Sequence, residues 1–199
     1  MTSPTALSPT DRTTLRRRSN RSADVDVFDA VLRECLVCHV AVVVEGQPMV
    51  LPTTFVRVGD EVFIHGAVGN GLLRFAVDAP VCFTAVIADA LVFAKSAAHH
   101  SMNYRSVVAF ARGREVVELA EKARVLDALL EKMRPGRSTE ARTGTEQELI
   151  GVRVVALSLA EASAKLRPGP PVDDEADLAF PTWRGIVPLR NVVDDVVAC

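Results

Sequence analysis

Residues 37–65 read VCHVAVVVEGQPMVLPTTFVRVGDEVFIH, and this stretch decides the fold. The turn-forming residues EGQP at positions 45–48 and GD at 59–60 divide it into three runs rich in valine, which favours strands. Connections this short join only antiparallel neighbours. The stretch therefore predicts three consecutive antiparallel strands, over residues 37–44, 49–58 and 61–65.

The rest of the chain extends this pattern in both directions. Upstream, from Asp24, one amphipathic helix face is formed by Val27, Phe28, Val31, Leu32 and Cys35. Downstream, the patterns predict helices over residues 72–77 and 119–133, a loop over 134–145, and strands over 80–87, 91–95, 104–111 and 152–159. A parallel sheet would need helices between the early strands, and none is predicted there. We therefore predict a mainly β, antiparallel barrel with flanking helices.

Composition favours one globular domain without a membrane span. The chain has 199 residues, 49% of them hydrophobic, which is enough for a sizeable core. We predict a basic, flexible tail over residues 1–21, a single domain over 22–190 and a C-terminal tail over 191–199. The tail's arginines (Arg12, Arg16, Arg17, Arg18 and Arg21) could form a nucleic-acid arm, but a solvated tail is the preferred interpretation. The net charge of −2 and the lack of a long apolar run or signal core predict a cytoplasmic protein without nucleic-acid or membrane partners.

Cys35, Cys38 and His39 form the C-x-x-C-H pattern that attaches c-type haem. Such attachment requires an oxidising compartment, which nothing in the sequence indicates. The apolar neighbours place the motif where a helix runs into a buried strand. We therefore expect a chance match and no covalent haem, with a redox or haem role as the alternative.

Two early segments are candidates for ligand binding. Pro52, Thr53 and Thr54 lie on a strand in which the proline removes a ladder donor, so the backbone there is available to a planar heterocycle. An ordinary strand is the alternative. Residues 65–71, HGAVGNG, precede a short helix that contains Arg74; glycines let backbone amides approach an anion, so this loop can hold a phosphate. A flexible connection is the alternative.

A third candidate is residues 99–108, HHSMNYRSVV, at the start of a strand. The adjacent His99 and His100 could ligate a metal, but no Cys, Asp or Glu stands at a ligand spacing and neighbouring strand residues point to opposite faces. We expect no metal site. An anion or cofactor is better served by Arg105 and Ser106.

Together these segments resemble the pyridoxamine 5′-phosphate oxidase-like, FMN-binding split-barrel superfamily, in particular its flavin-nucleotide-binding branch related to nitroimidazole-resistance reductases. The resemblance also includes GQP at residues 46–48 and PTWRG at 181–185. It implies a six-stranded antiparallel split β-barrel and a homodimer with FMN in two grooves between subunits. It assigns the isoalloxazine to the strand at Thr53 and Thr54, and the phosphate to the loop after His65 and to Arg105 and Ser106.

The resulting prediction of cofactor-binding residues combines the three segments with the late tryptophan. They are Pro52, Thr53, Thr54, His65, Gly66, Gly69, Asn70, Gly71, Arg74, Ser101, Asn103, Tyr104, Arg105, Ser106 and Trp183. His65 is the candidate proton donor, with a structural histidine as the alternative. Relatives usually carry a serine followed by Arg or Lys where this chain has Gly69, Asn70 and Gly71. Either Arg74, Arg105 and backbone amides supply the missing charge, or FMN binds weakly, or another cofactor is used.

The leading functional hypothesis is an FMN-dependent oxidoreductase that reduces a small organic substrate with electrons from a nicotinamide cofactor. The alternatives are a flavin- or haem-binding protein without turnover, for storage or sensing, and a deazaflavin (F420)-dependent reductase. No residue identifies the substrate.

Overall fold

The computed structural model describes residues 10–13, 25–193 and 197. Of the predicted N-terminal tail, only Thr10 to Thr13 falls within these ranges. Asp24 and the arginines at positions 16, 17, 18 and 21 lie outside the described residues. The division into one domain and two tails stays a prediction.

Five α-helices lie in the described ranges, and the two longest are the two amphipathic helices that the sequence predicts. Their bounds are α1 Val25–Glu34, α2 Gly71–Ala76, α3 Leu119–Met133, α4 Arg137–Glu140 and α5 Glu146–Ile150. Short 3₁₀ helices cover Ala97–His99 and Glu175–Asp177. None of the described helices is long and apolar enough to cross a lipid bilayer.

Nine strands of the described ranges form one sheet in which every strand pair is antiparallel. Their bounds are β1 Val37–Val44, β2 Gln47–Val58, β3 Glu61–Ala67, β4 Pro80–Phe93, β5 Ser101–Arg112, β6 Arg114–Val116, β7 Val152–Ser158, β8 Ala162–Arg167 and β9 Gly185–Pro188. The order is β6-β7-β3-β2-β1-β4-β5-β8, and β9 pairs with β4. The predicted fold class, a mainly β split barrel with flanking helices, is confirmed.

The β1–β2 hairpin explains why the opening stretch of sequence is decisive. Glu45 and Gly46 both have positive φ, 51° and 76°, as a two-residue turn matched to strand twist requires. On its other side β2 pairs with β3, but only from Phe55 to Val58, so the first part of β2 extends past the end of β3. Pro52 therefore lies on a strand segment with one free edge, which is where a proline is tolerated.

Two hydrophobic clusters hold the sheet together. The larger is enclosed by the barrel and α1, and the aromatic rings of Phe55 and Phe83 meet edge to face at its centre with centroids 5.1 Å apart. The smaller lies under α3, where Val125 and Leu129 pack against Phe63 of β3. Burial of these apolar side chains is the main stabilising contribution to the fold.

The structure differs from the sequence-based elements at several places. Residues 80–93 form one strand instead of two, because the residues that read as a turn form a β-bulge at Asp89. Strands β6, β8 and β9 were not predicted; each is short and pairs with a strand that is distant in sequence or longer than itself. The predicted loop over residues 134–145 contains α4.

Candidate functional site

The sheet has a core face and an outward face, and the predicted site residues divide between them. Along β1, Cys38 and Val40 are fully buried, whereas Val37 and Val43 are 46% and 67% exposed. Strand side chains alternate, so His39 also lies on the outward face. The same alternation runs along β4, β5 and β8, giving a broad outward face from β2 to β8.

The first group of site residues meets where β2 extends past β3. Phe55 pairs with Ile64, and one step further in this register Thr54 lies across from His65. Phe55 and Ile64 are fully buried, so Thr54 and His65 have the outward parity. The structure thus brings Pro52 and Thr54 beside His65 on the outward face, whereas Thr53 pairs with the buried Cys38 and has the core-face parity. The strand edge there has no described neighbour.

His65 is half-buried, and burial lowers the pKa of its imidazole. A lowered pKa keeps the ring neutral near pH 7, with one nitrogen donating and the other accepting. It can therefore exchange a proton with a ligand bound over Thr54.

The glycine loop after His65 is held by its own residues and by the start of β7: Val68 N donates to Gly151 O at 3.1 Å, and Val68 O accepts from Arg153 Nη1 at 3.0 Å. Asn70 N donates to Ala67 O at 2.8 Å, and Asn70 Oδ1 accepts from Leu73 N at 3.3 Å, which caps α2. A side chain at Gly66 would meet Leu73 Cδ1 at 3.0 Å and Asn70 Nδ2 at 3.1 Å, so the turn is tight. Arg74 is exposed on α2, with its guanidinium 4.9 Å from the ring centroid of Phe75.

A second group lies on the other side of the outward face. Tyr104 and Ser106 belong to β5, which is three strands away from β2 in the sheet. With about 4.8 Å between neighbouring strands, the two groups are about 14 Å apart. Ser101 and Asn103 precede them on β5, and Asn103 is only 7% exposed. One protomer therefore does not bring all the predicted residues into one site.

Arg105 lies apart from its sequence neighbours. It has the core-face parity of the buried Val107, and its guanidinium is bound by Asp89 of the β4 bulge and Glu34 of α1. Nη2 donates to Asp89 Oδ1 at 2.8 Å and Nη1 to Glu34 Oε2 at 2.9 Å. These hydrogen bonds, to Asp89 above all, raise the pKa of Arg105. A phosphate at Arg105 would have to displace one of these carboxylates.

Sequence reasoning missed two cations on β8. Lys165 pairs in register with Ser106, and Arg167 pairs with Tyr104. Both are half-buried on the outward face. A basic residue at every second position, K-x-R, is the only local signal, and it is too common to single out.

A cleft of about 340 Å³ was also missed, although it contains Trp183. Its walls include Phe93 and Trp183, whose ring centroids are 5.0 Å apart, and His100. The Nδ1 of His100 lies 2.9 Å from Ser96 O. A carbonyl can only accept, so Nδ1 carries the proton and Nε2 keeps a free lone pair.

The neighbouring His99 meets two acidic side chains that are distant in sequence. Its Nε2 lies 3.9 Å from Asp174 Oδ2, and ligand atoms of His99, Asp174 and Asp177 all lie within 4.8 Å of one another. The sequence offered no such partners because they lie about 75 residues downstream, in the segment after residue 159 for which no element was predicted.

A family profile described as pyridoxamine 5′-phosphate oxidase matches residues 24–166, well over half of the chain. The chain belongs to this family. The matched residues include both site groups, Lys165 and His100 of the cleft, and end just before Arg167, so that Trp183 lies beyond them. The resemblance seen in the sequence is thus confirmed. No curated protein sequence matches the chain.

Similar solved structures extend the match over nearly the whole chain. The flavocytochrome Anf3 from Azotobacter vinelandii is 35% identical, with a TM-score of 0.89 over 96% of this chain and 89% of its own. The FAD and haem binding protein from Mycobacterium smegmatis is 33% identical, with a TM-score of 0.86 over 91% and 89%. A candidate 5-nitroimidazole antibiotic resistance protein from Bacteroides thetaiotaomicron, at 17% identity and a TM-score of 0.60 over 77% and 95%, shares the fold alone.

The C-x-x-C-H motif has a structural role in this family member. Cys38 is fully buried and Cys35 is 9% exposed. Burial raises the pKa of Cys38 to about 12, and its Sγ donates to Thr53 O at 3.4 Å. A buried protonated thiol is a poor nucleophile, so the geometry opposes covalent attachment of haem to this pair.

Proposed function

We propose that this chain is a flavin-dependent oxidoreductase that passes electrons from a nicotinamide cofactor to a small organic substrate. The free edge of β2 at residues 52–54, beside a neutral His65 and a tight glycine loop, carries the proposal. Because β3 pairs with β2 only from Phe55 to Val58, backbone groups that face the β3 side of residues 52–54 can hydrogen-bond the polar rim of a flavin. A bound flavin supplies the redox chemistry, and this chain supplies position and electrostatics.

His65 is the proposed proton-transferring residue. Its neutral imidazole lies across from Thr54, on the face that the ring would cover. It can therefore accept a proton near neutral pH without first losing one to solvent, and once protonated it can pass that proton on. No side chain of the described residues identifies the substrate as polar or apolar.

We propose further that two copies share each flavin. The two groups of predicted residues lie about 14 Å apart in one protomer, so the second group of one copy would complete the first group of the other. The outward face between them exposes apolar side chains that a partner would cover: Val37, Val50, Val86, Leu91 and Val187 are all more than a third exposed. Exposed apolar patches of this kind mark interaction surfaces.

FAD is proposed as the flavin in preference to FMN. Two family members with more than 30% identity are named as a flavocytochrome and as an FAD and haem binding protein. The loop at Gly69, Asn70 and Gly71 lacks the basic pair that relatives with an FMN phosphate there carry, which also favours a nucleotide with further contacts. FMN and F420 are the alternatives that a spectrum and a titration separate.

One specific observation favours haem as a second prosthetic group. The hydrogen bond from His100 Nδ1 to Ser96 O leaves Nε2 as a free ligand atom, which is the arrangement that orients metal-binding histidines. Phe93 and Trp183 provide apolar walls next to it. We propose His100 as an axial haem ligand, which would allow one-electron transfer beyond the flavin.

The absorbance spectrum of the purified protein, with and without added FAD and haem, tests both proposals. We expect the visible bands of an oxidised flavin, bleached by NADH or NADPH, and a Soret band that His100→Ala abolishes while the flavin remains. His99→Ala is the matched control and should keep the Soret band. A protein that binds neither FAD nor FMN, or that binds only a deazaflavin, would overturn the flavin assignment.

A further inference from the structure

A cleft of about 730 Å³ lies between α1 and α3 and has no role in the proposed function. Its lining includes Leu32 and Arg33 of α1, Val56 of β2, and Ala128 and Lys132 of α3. None of the residues predicted to bind the cofactor lines it. The volume is that of a small-molecule site, so the cleft can hold a ligand of its own.

Lys132 is the half-buried amine of this cleft, and one residue holds it. Its Nζ donates to Phe55 O at 3.0 Å and lies 3.4 Å from the centroid of the Phe55 ring. No carboxylate of the described residues forms an ion pair with it. An ammonium has three N–H groups, and only one of them has an acceptor in the part of the chain that the structure describes.

The two carboxylates that line the cleft are bound elsewhere. Asp29 accepts from Arg57 Nη1 in an ion pair. Glu131 accepts from the backbone N of Gly136 at 2.7 Å. Neither carboxylate therefore compensates the charge of Lys132.

Lys132 is also set apart by its protonation. Burial lowers the pKa of its amine to about 8, although the nearby Cys35 and Cys38 thiols act in the opposite direction. Roughly a tenth of the molecules then carry the neutral amine at pH 7, against less than about a thousandth for an ordinary lysine. The neutral amine is the nucleophilic form, so a nucleophile lines a cleft that a small molecule can enter.

We infer that Lys132 forms a Schiff base with a small aldehyde that carries an anionic group. The neutral amine adds to the carbonyl carbon, and the carbinolamine takes up a proton and loses water. Amine, aldehyde and proton thus give a protonated imine and one water, and neither an oxidant nor a reductant is needed. This reaction does not depend on a flavin.

The surroundings of Nζ fit a protonated imine. Its positive charge can stay over the Phe55 ring, and its one N–H can still donate to Phe55 O. An acylated lysine would lose the charge and with it the attraction to the ring. The contacts of Lys132 therefore favour an aldehyde over an acyl donor.

Arg33 favours an anionic group on the aldehyde. Its side chain is 72% exposed, and its ion pair to Glu34 spans 3.3 Å at the surface of the same helix. Such pairs contribute little, so the guanidinium can turn to a ligand carboxylate. The apolar side chains of Leu32, Val56 and Ala128 suit the hydrocarbon between the aldehyde and the anion.

The test traps the imine with 4-carboxybenzaldehyde and cyanoborohydride, and peptide mass mapping locates the carboxybenzyl group. The internal comparison is among the lysines of the chain, Lys95, Lys122, Lys132 and Lys165. At pH 7, we expect Lys132 to be modified about tenfold or more faster than the other three. Its rate should reach half its maximum near pH 8.

Unfolding in urea should abolish this preference. Equal modification of the four lysines in the folded chain, or a preference for Lys132 that persists in urea, would overturn the inference. Lys132→Arg keeps the charge over the Phe55 ring and cannot form an imine. If this variant is folded by circular dichroism and still takes up as much label on its lysines as wild type, Lys132 is not the reacting amine.

A second pair of variants tests the anionic group. Arg33→Gln should slow modification by 4-carboxybenzaldehyde several-fold and leave modification by benzaldehyde unchanged. Arg124→Gln, on the exposed surface of α3, is the matched control and should change neither rate. An Arg33→Gln variant that slows both aldehydes equally, or neither, would overturn the assignment of an anionic aldehyde. All of these measurements are made without flavin, so their failure would leave the proposed function standing.

Discussion

Arg105 binds two carboxylates, Asp89 from the β4 bulge and Glu34 from the end of α1. Its side chain is 21% exposed, so these ion pairs are partly shielded from water. This single residue ties the bulge, the first helix and β5 together. Its sequence context assigned it to the flavin phosphate.

Replacing Arg105 by Ala is expected to lower the free energy of unfolding by about 1–3 kcal/mol, because Asp89 would keep its charge without a partner. Urea unfolding of wild type and variant measures this loss. FMN and riboflavin titrations of the same variant separate the two roles. If the variant binds FMN and riboflavin as tightly as wild type does, Arg105 has a structural role as an ion-pair partner. If the variant loses affinity for FMN but not for riboflavin, the guanidinium must leave Asp89 to bind the phosphate.

The positions of single site residues were predictable only where a short connection places two strands side by side. Thr54 and His65 are joined by a tight reversal, so the pattern of residues 37–65 was enough to place them side by side. Tyr104, Arg105 and Ser106 were grouped by proximity in sequence, but strand alternation puts Arg105 on the opposite face. Contacts made by that face depend on α1 and on the bulge, which no local pattern reveals.

At the scale of elements, the hairpins were predictable and the late strands were not. Alternating or continuous valine runs bounded by glycine identify β1, β2 and β3. The bulge at Asp89 was read as a turn because Ala88, Asp89 and Ala90 interrupt an apolar run. Strand β8, with the sequence ASAKLR, gains its order from pairing with β5 some 60 residues earlier, so Lys165 and Arg167 could not be placed in advance.

The junction between α2 and β6 depends on one glycine. A Cβ on Gly113 would lie 2.0 Å from Ala76 O, a distance that no real contact tolerates. Gly113→Ala should therefore push apart backbone hydrogen bonds such as Gly113 N to Ala79 O and cost more than about 3 kcal/mol of stability.

Thermal or urea unfolding checks this expectation. Gly144→Ala is the matched control, since its Cβ would meet the side chains of Leu149 and Glu148 only at ordinary distances of 3.6 Å and above. It should change stability by less than about 1 kcal/mol. A stable Gly113→Ala protein would mean that α2 and β6 can separate without disturbing the sheet.

At the scale of the whole molecule, the outward face joins the separate observations. It carries the free edge at residues 52–54, His65, the second group on β5 and the cations of β8. It also exposes apolar side chains between them. We propose that two copies enclose a flavin across this face, which would bring the two groups of site residues together.

Sedimentation velocity in the presence of FAD, recorded at a wavelength where only flavin absorbs, tests this account most directly. The account predicts that flavin sediments with a particle of two 21.5 kDa chains, at one FAD per chain. If only the dimer binds flavin, the apparent flavin affinity should also fall when the protein is diluted below the dissociation constant of the dimer. Flavin that sediments with a single 21.5 kDa chain, or that stays free beside the protein, would contradict it.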